Sequence, residues 1–420
     1  TLSEPQHLVL GRQFMAIAAP GGNFFKPAGG INFCVGLVDP ISSCLYLDLG
    51  NALTTGTDGA INSQGDLTLS VYDPLLSPPN PAGSMIPVGT ISATGAGGYA
   101  ADPTWYGRTA GIVVLPISPA LMPLVQRSPL ALSGATAGVA ITEANSGAFV
   151  RADRFVYRMS PGDSVEIPVY ATLWGQPLPN VEIGFPLDPS QLQPGSGFPY
   201  VAPSPPVATP TSALAFGATA TTHSNGIALL KLTANDPGTP RWFNPTPTNP
   251  QGEYGIDGQV YGIRPGFVDT AQYGGSPQNQ WNFISFLVWS GFTTSNPVTW
   301  ADLQPIFKQY ANLYPVMNRF LDLGNYDSVV ANAGLLSLAF GLNPDDPNAM
   351  PVTRDLSPAK RNAILSWLSG DMPIGAPLPP PPAASVVVAA MPSDDAAPAK
   401  PAPQGGKAAA VARRLILQTP

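Results

Sequence analysis

Leucine or valine occupies every second position at Leu45, Leu47 and Leu49, and again at Leu67, Leu69 and Val71. That two-residue period belongs to a strand with one buried face. Further apolar runs at residues 7–10, 14–18, 31–38, 111–117 and 138–142 are separated by turn formers such as Asp58-Gly59 and Gly65-Asp66. Together they predict a β-rich unit over residues 1–150. No helical pattern follows Gly21-Gly22, Gly29-Gly30 or Gly97-Gly98, so these pairs read as turns or bulges rather than phosphate-cradling loops.

A second strand pattern covers residues 151–292. Segments 155–159 and 164–172 flank the Pro161-Gly162-Asp163 turn. Asn225-Gly226 opens a run in which Ile227, Leu229 and Lys231 alternate with Ala228, Leu230 and Leu232. The entry Gly175-Gln176-Pro177 before Val181, with the later Asn225-Gly226-Ile227-Ala228, resembles bacterial immunoglobulin-like domains of the invasin type. The resemblance implies a β-sandwich. Residues 186–210, rich in Pro, Ser and Gly, read as a surface loop. Trp281, Phe283, Phe286 and Trp289 form an aromatic-dense strand, suited to seating later helices or to an interface. Arg151, Arg154 and Arg158 bracket the start of the unit, as a solvated edge or an anion-facing stripe.

After Trp289 the period changes. Thr299-Trp300-Ala301-Asp302 has capping-box spacing, with an acidic residue at the positive helix end. Leu303, Ile306, Phe307, Tyr310, Leu313, Tyr314 and Met317 then recur at helical spacing, with Pro315 kinking or ending the helix. Aromatics at that spacing read mainly as core. A second helix is predicted over residues 326–340, and a third from Ser357-Pro358 to a stop at Gly370. A small helical domain over 298–370 results. Residues 371–420 form a Pro/Ala-rich tail, a linker or a segment that wraps a partner, with Arg413 and Arg414 on a short helix over 407–417. The fold class expected is mainly β: two β-sandwich or immunoglobulin-like units, a helical cap and an extended tail.

Composition agrees and narrows the chemistry. The 420 residues include 51 Pro and 43 Gly, only 11% are charged, and net charge is −7, against about 25% charged in an average domain. No dense basic stretch suits nucleic acid. The apolar runs are far shorter than the ~20 residues of a membrane span. There are two histidines, His7 and His223, and five glutamates, with no Glu-x-x-His pair. A ferritin-like carboxylate site, zinc-protease motifs, a nucleophile elbow and nucleotide-binding loops are all missing. No cofactor is expected. Cys34 and Cys44 read as buried free thiols, with a disulfide between adjacent strands as the alternative.

One further likeness lies in the cap. Tyr310 to Met317, followed by Asp345-Asp346-Pro347 and Met350-Pro351-Val352-Thr353-Arg354-Asp355-Leu356-Ser357, resembles the central region of the iminophenyl-pyruvate dimer synthase family of violacein and related bisindole pathways. In that family a ferritin-like domain follows; here the tail stands in its place. The resemblance implies a freestanding β-rich half with its helical cap, and it transfers no catalytic residue.

The expectation is a noncatalytic scaffold or docking subunit that forms a hetero-oligomer with a separate enzyme chain, an oxidoreductase in the light of that family. Its interface would use Trp281, Phe283, Phe286, Trp289, Tyr310, Tyr314, Arg354, Arg413 and Arg414. Two alternatives stand: an enzyme or shuttling partner for aromatic or amino-acid-derived intermediates, and an exported surface or adhesion module. Asp345 and Asp346 are weak candidates for Ca²⁺, a turn being the simpler reading. Low charge and a first residue, Thr1, that is not Met favour a periplasmic or exported location; the family resemblance favours the bacterial cytoplasm.

Overall fold

The strand Arg12–Ala16 belongs to two sheets at once. Its first half pairs with Cys34–Asp39, and its second half with Gly138–Thr142. Around it the computed structural model builds an eight-stranded antiparallel path in the order Met85–Ile91, Leu67–Tyr72, Leu130–Gly134, Gly138–Thr142, Arg12–Ala16, Cys34–Asp39, Cys44–Asp48, Ile112–Pro116. The path folds over so that its two ends meet. A Cβ on Gly89, in one end strand, would stand 3.4 Å from the Leu115 side chain in the other. The alternating residues Leu45, Leu47, Leu67, Leu69 and Val71 all point into the resulting core, with Phe14, Leu130, Leu132 and Ile141. The structure describes residues 11–16, 30–73, 85–135, 138–192, 206–238, 241–243, 254–273 and 283–376.

Ala148–Ala152 leaves this unit and pairs with Ser164–Leu173, so the second sandwich starts slightly before residue 151. One sheet holds Gln176–Pro177, Ser164–Leu173, Ile227–Ala234 and Leu214–Phe216. In the facing sheet Val156–Met159 runs parallel to the last strand, Ile284–Val288, which pairs in turn with Gln259–Ile263. A Leu187–Ile263 bridge continues it to Glu182–Gly184, and from there to Thr219–Thr221. Two sheets with the first strand divided between them make this unit immunoglobulin-like. Ala228, Leu230 and Leu232 face inward and meet Tyr261, Ile284, Phe286 and Val288.

The cap consists of the helices Trp300–Leu313, Tyr326–Ala331, Ala333–Gly341 and Pro358–Leu368, with a 3-10 turn Pro315–Arg319. Pro315 thus ends the first α-helix. The single helix expected over 326–340 is two, because Asn332 leaves helical geometry (φ −111°, ψ 20°). Trp300 anchors the cap core, with Phe307, Tyr326 and Trp367 rings 5.3, 5.8 and 5.7 Å away. The cap also outlasts Gly370. Pro373 O accepts from Trp300 N (2.8 Å) and Trp367 Nε1 (3.0 Å), and Ile374 O from Ala301 N (3.0 Å). These carbonyls satisfy donors that a helix start leaves open. Most of the tail lies outside the described residues.

Cys34 and Cys44 are free. Register places Cys44 opposite Asp39 and Cys34 beyond the Val35–Asp48 pair, at opposite ends of one hairpin. At about 3.3 Å per residue the two are roughly 16 Å apart, against a Cα limit of about 7 Å for a disulfide. Both thiols are free, but only Cys34 is buried and Cys44 is half-buried; the disulfide alternative does not hold.

Candidate functional site

The densest polar chemistry lies where the immunoglobulin-like unit meets the cap. Asp257 sits in the turn before Gln259–Ile263, pressed against the last strand. Gly258 follows it at φ 79°, where a Cβ would collide with the Val288 carbonyl, so only glycine permits the approach. From the cap, Lys360 Nζ reaches Asp257 Oδ1 at 2.9 Å with the two side chains 12% and 2% exposed. Ser357 N donates to Asp257 Oδ2 at 3.2 Å. Ser357 is also the N-cap of Pro358–Leu368, where its hydroxyl accepts from Lys360 N.

Around this pair the aromatic residues are internal joints. Trp289 Nε1 donates to Asp355 O at 3.0 Å, and Lys360 Nζ stands 5.6 Å from the Phe292 ring centre. Tyr310 OH donates to Asp355 Oδ1 at 3.1 Å, and the Thr353 hydroxyl donates to the same oxygen at 2.5 Å. Burial, with the adjacent Asp355 carboxylate, pushes the Tyr310 phenol far up, so its hydroxyl remains a donor.

This geometry revises most of the expected interface. Phe286 is fully buried, its ring stacked on Tyr157 at 5.5 Å. Trp289 and Tyr310 are buried as well. They join parts of this chain and offer no face to an outside partner. Phe283, partly buried, lies under Arg264, 5.7 Å from ring to guanidinium. Tyr314, also partly buried, stacks on Tyr310 at 6.3 Å. Arg354 is closed off differently. Its guanidinium donates to the carbonyls of Pro344 (2.6 Å), Asp346 (2.6 Å), Ala349 (2.5 Å) and Pro351 (2.8 Å), and its backbone is left-handed at φ 56°. Arg354 therefore ties up its own loop rather than an outside partner, because four nearby carbonyls already use its donors.

Asp345 and Asp346 lie in that loop as turn residues. Asp345 N donates to Asn343 Oδ1, and Asp346 Oδ1 accepts from Asn348 N. Among the described residues no three His, Cys, Asp or Glu side chains cluster as a metal site would require. The three arginines do not form a stripe. Arg151 lies over Phe155 and Arg154 over Tyr157, while Arg158 donates to Thr353 O. His223 is exposed in the Asn225-Gly226 turn. Trp281, Arg413, Arg414 and His7 lie outside the described residues.

A second polar joint escaped the sequence reading. Arg12 and Glu143 form a pair with side chains 0% and 3% exposed. Arg12 Nε donates to Glu143 Oε1 at 2.7 Å, and its other nitrogens reach Glu143 Oε2, Val125 O and Ser128 O. Leu130 N also donates to Glu143. Trp174, from the second unit, covers the guanidinium at 5.4 Å, and Thr172 Oγ1 donates to Gly11 O beside it. Burial pushes the Glu143 carboxyl up, and the Arg12 guanidinium opposes that push. The separation of 131 residues hid this pair; a lone Arg within an apolar alternation was its one signal.

No family model and no curated protein matches this chain. Among solved structures, the D0–D1 domain of intimin aligns with TM-score 0.20 and 12% identity, over 59% of this chain and 91% of its own. Domains 4 and 5 of the S-layer protein SbsC align with TM-score 0.19 and 8% identity, over 67% and 98%. Salmonella alpha-2-macroglobulin reacted with methylamine aligns with TM-score 0.21 and 9% identity, over 80% and 23%. Scores this low bear on no function, and the architecture rests on the strand pairings themselves. No helix among the described residues is long and apolar enough to cross a membrane.

Proposed function

We propose that this chain is a noncatalytic presentation module of the exported, immunoglobulin-like kind, with two sandwiches and a cap fastened into a fixed arrangement. One observation carries the reading: buried side chains that could do chemistry serve as joints. Arg12 and Glu143 sit beneath Trp174 where the sandwiches meet. Asp257 with Lys360, and Asp355 with Tyr310 and Trp289, hold the cap to the second sandwich. Fastening of this kind suits a molecule that holds surfaces at fixed spacing. Among the described residues it gives a substrate no convergent set of polar groups.

Docking to a separate enzyme chain is the rival, and it has lost most of its surface. Of the interface residues expected for it, Phe283, Tyr314 and Arg354 are the partly exposed ones among those described, and the Arg354 guanidinium is held by carbonyls of its own loop. Kinship with the iminophenyl-pyruvate dimer synthase family remains a proposal about the cap, where the matching segment 350–357 holds the Arg354 loop and the Asp355 joint. Purification of the native chain after mild cross-linking separates the readings. The module reading expects no enzyme chain in fixed stoichiometry; a stoichiometric oxidoreductase would overturn it.

A further inference from the structure

We propose that Lys360 and Asp257 form a covalent amide between their side chains, an internal cross-link that locks the cap to the immunoglobulin-like unit. The reacting groups are already in contact. Lys360 Nζ lies 2.9 Å from Asp257 Oδ1, and the side chains are 12% and 2% exposed. Such contact with restricted freedom is what turns a slow bimolecular condensation into a feasible internal one. Aromatic residues wall the site: Phe292 lies under the ammonium, and Trp289 and Tyr310 are buried at the same junction. In surroundings of that kind separated charges are poorly solvated. Condensation would remove both charges from this buried contact.

The carboxyl group is also held as an acyl donor. Oδ2 accepts from Ser357 N at 3.2 Å, a backbone donor placed where negative charge would grow on attack. Oδ1, the oxygen facing Lys360, is the one positioned to leave. Asp355 supplies a second carboxyl group at the junction, hydrogen-bonded to the Tyr310 and Thr353 hydroxyls.

The step balances without any further reactant. One ammonium proton passes from Nζ to Oδ1, leaving an amine and a carboxylic acid. The nitrogen lone pair forms the N–C bond to Asp257 Cγ, and the electron pair of the C=O bond moves onto Oδ2. A second proton passes from nitrogen to Oδ1 across the same 2.9 Å contact. The Cγ–Oδ1 bond breaks, the C=O bond re-forms and water departs. Nothing is oxidised or reduced.

This inference is independent of the proposed function, since a fixed cap would serve either reading. The test is the intact mass of the purified full-length chain, followed by protease mapping. The expected mass is lighter than the sequence mass by one water, with one branched peptide carrying both Lys360 and Asp257. Lys360→Arg keeps the charge and should abolish the mass loss. Asp257→Asn should still condense, now losing one ammonia in place of water. A wild-type mass equal to the sequence mass, with the two peptides recovered separately, overturns the proposal whether or not any variant folds. A mass loss that persists in Lys360→Arg overturns it equally.

Discussion

Replacing Arg12 with Met keeps the stem and deletes the guanidinium. Glu143, 3% exposed, then loses its partner, and the Val125 and Ser128 carbonyls lose their donor. Removing one member of a buried ion pair costs about 3–5 kcal/mol, because the remaining charge stays buried. Loss of the Trp174 contact contributes up to about 2 kcal/mol, not fully additive with the first. A loss near 4 kcal/mol is a large share of the ~5–15 kcal/mol that holds a domain together. The assay is urea unfolding followed by the summed fluorescence of the seven tryptophans. Arg12→Met should lower the midpoint strongly, and Arg12→Met with Glu143→Leu should recover much of the loss, since an apolar pair can replace a buried ion pair. A single variant within ~1 kcal/mol of wild type, or a double variant worse than the single, would refute the reasoning.

Three further outcomes follow from the geometry. Arg354→Ala removes four carbonyl contacts and the support for a left-handed backbone, so amides in the 343–356 loop should exchange faster, whereas Asp345→Asn and Asp346→Asn should leave stability within about 0.5 kcal/mol. Burial acts to raise the Asp302 carboxyl, but hydrogen bonds from Ser295 and Thr299 outweigh it and hold the group below its ordinary value. Its contribution is therefore present above the unfolded carboxylate pKa, near 4, and is lost as pH falls through the lower folded value; Asp302→Asn should flatten the acid limb of a cap melting curve, and an unchanged limb would count against the cap. Cys44 should react with a thiol reagent in the native chain while buried Cys34, its thiol pushed far up by burial, reacts only on unfolding.

What the sequence disclosed was local. The alternation at residues 45–49 and 67–71 and the Asn225-Gly226 turn identified strands, and Thr299 and Ser357 marked helix starts, because each signal lies within a few residues. Leu130–Gly134 was missed because a central strand buried on both faces does not alternate, as its near-continuous burial shows. The joints were hidden for a different reason. Arg12 meets Glu143, and Asp257 meets Lys360, across 131 and 103 residues, and no local pattern encodes such pairings. Nothing near Asp257 said that its carboxylate would face a lysine. Aromatic density at 283–289 left a seat for the helices and an outside interface both open; Trp289 joins the cap, and only topology could show that Phe286 points into the sandwich core.

Where this chain is displayed decides most directly whether it is an exported presentation module. Intact cells that make it can be treated with an amine label that does not cross membranes, and labelling read at Lys231, whose side chain is 70% exposed, against Lys360 at 12%. An exported presentation module predicts labelled Lys231 and unlabelled Lys360 before any lysis. Labelling of Lys231 only after the cells are broken would contradict it.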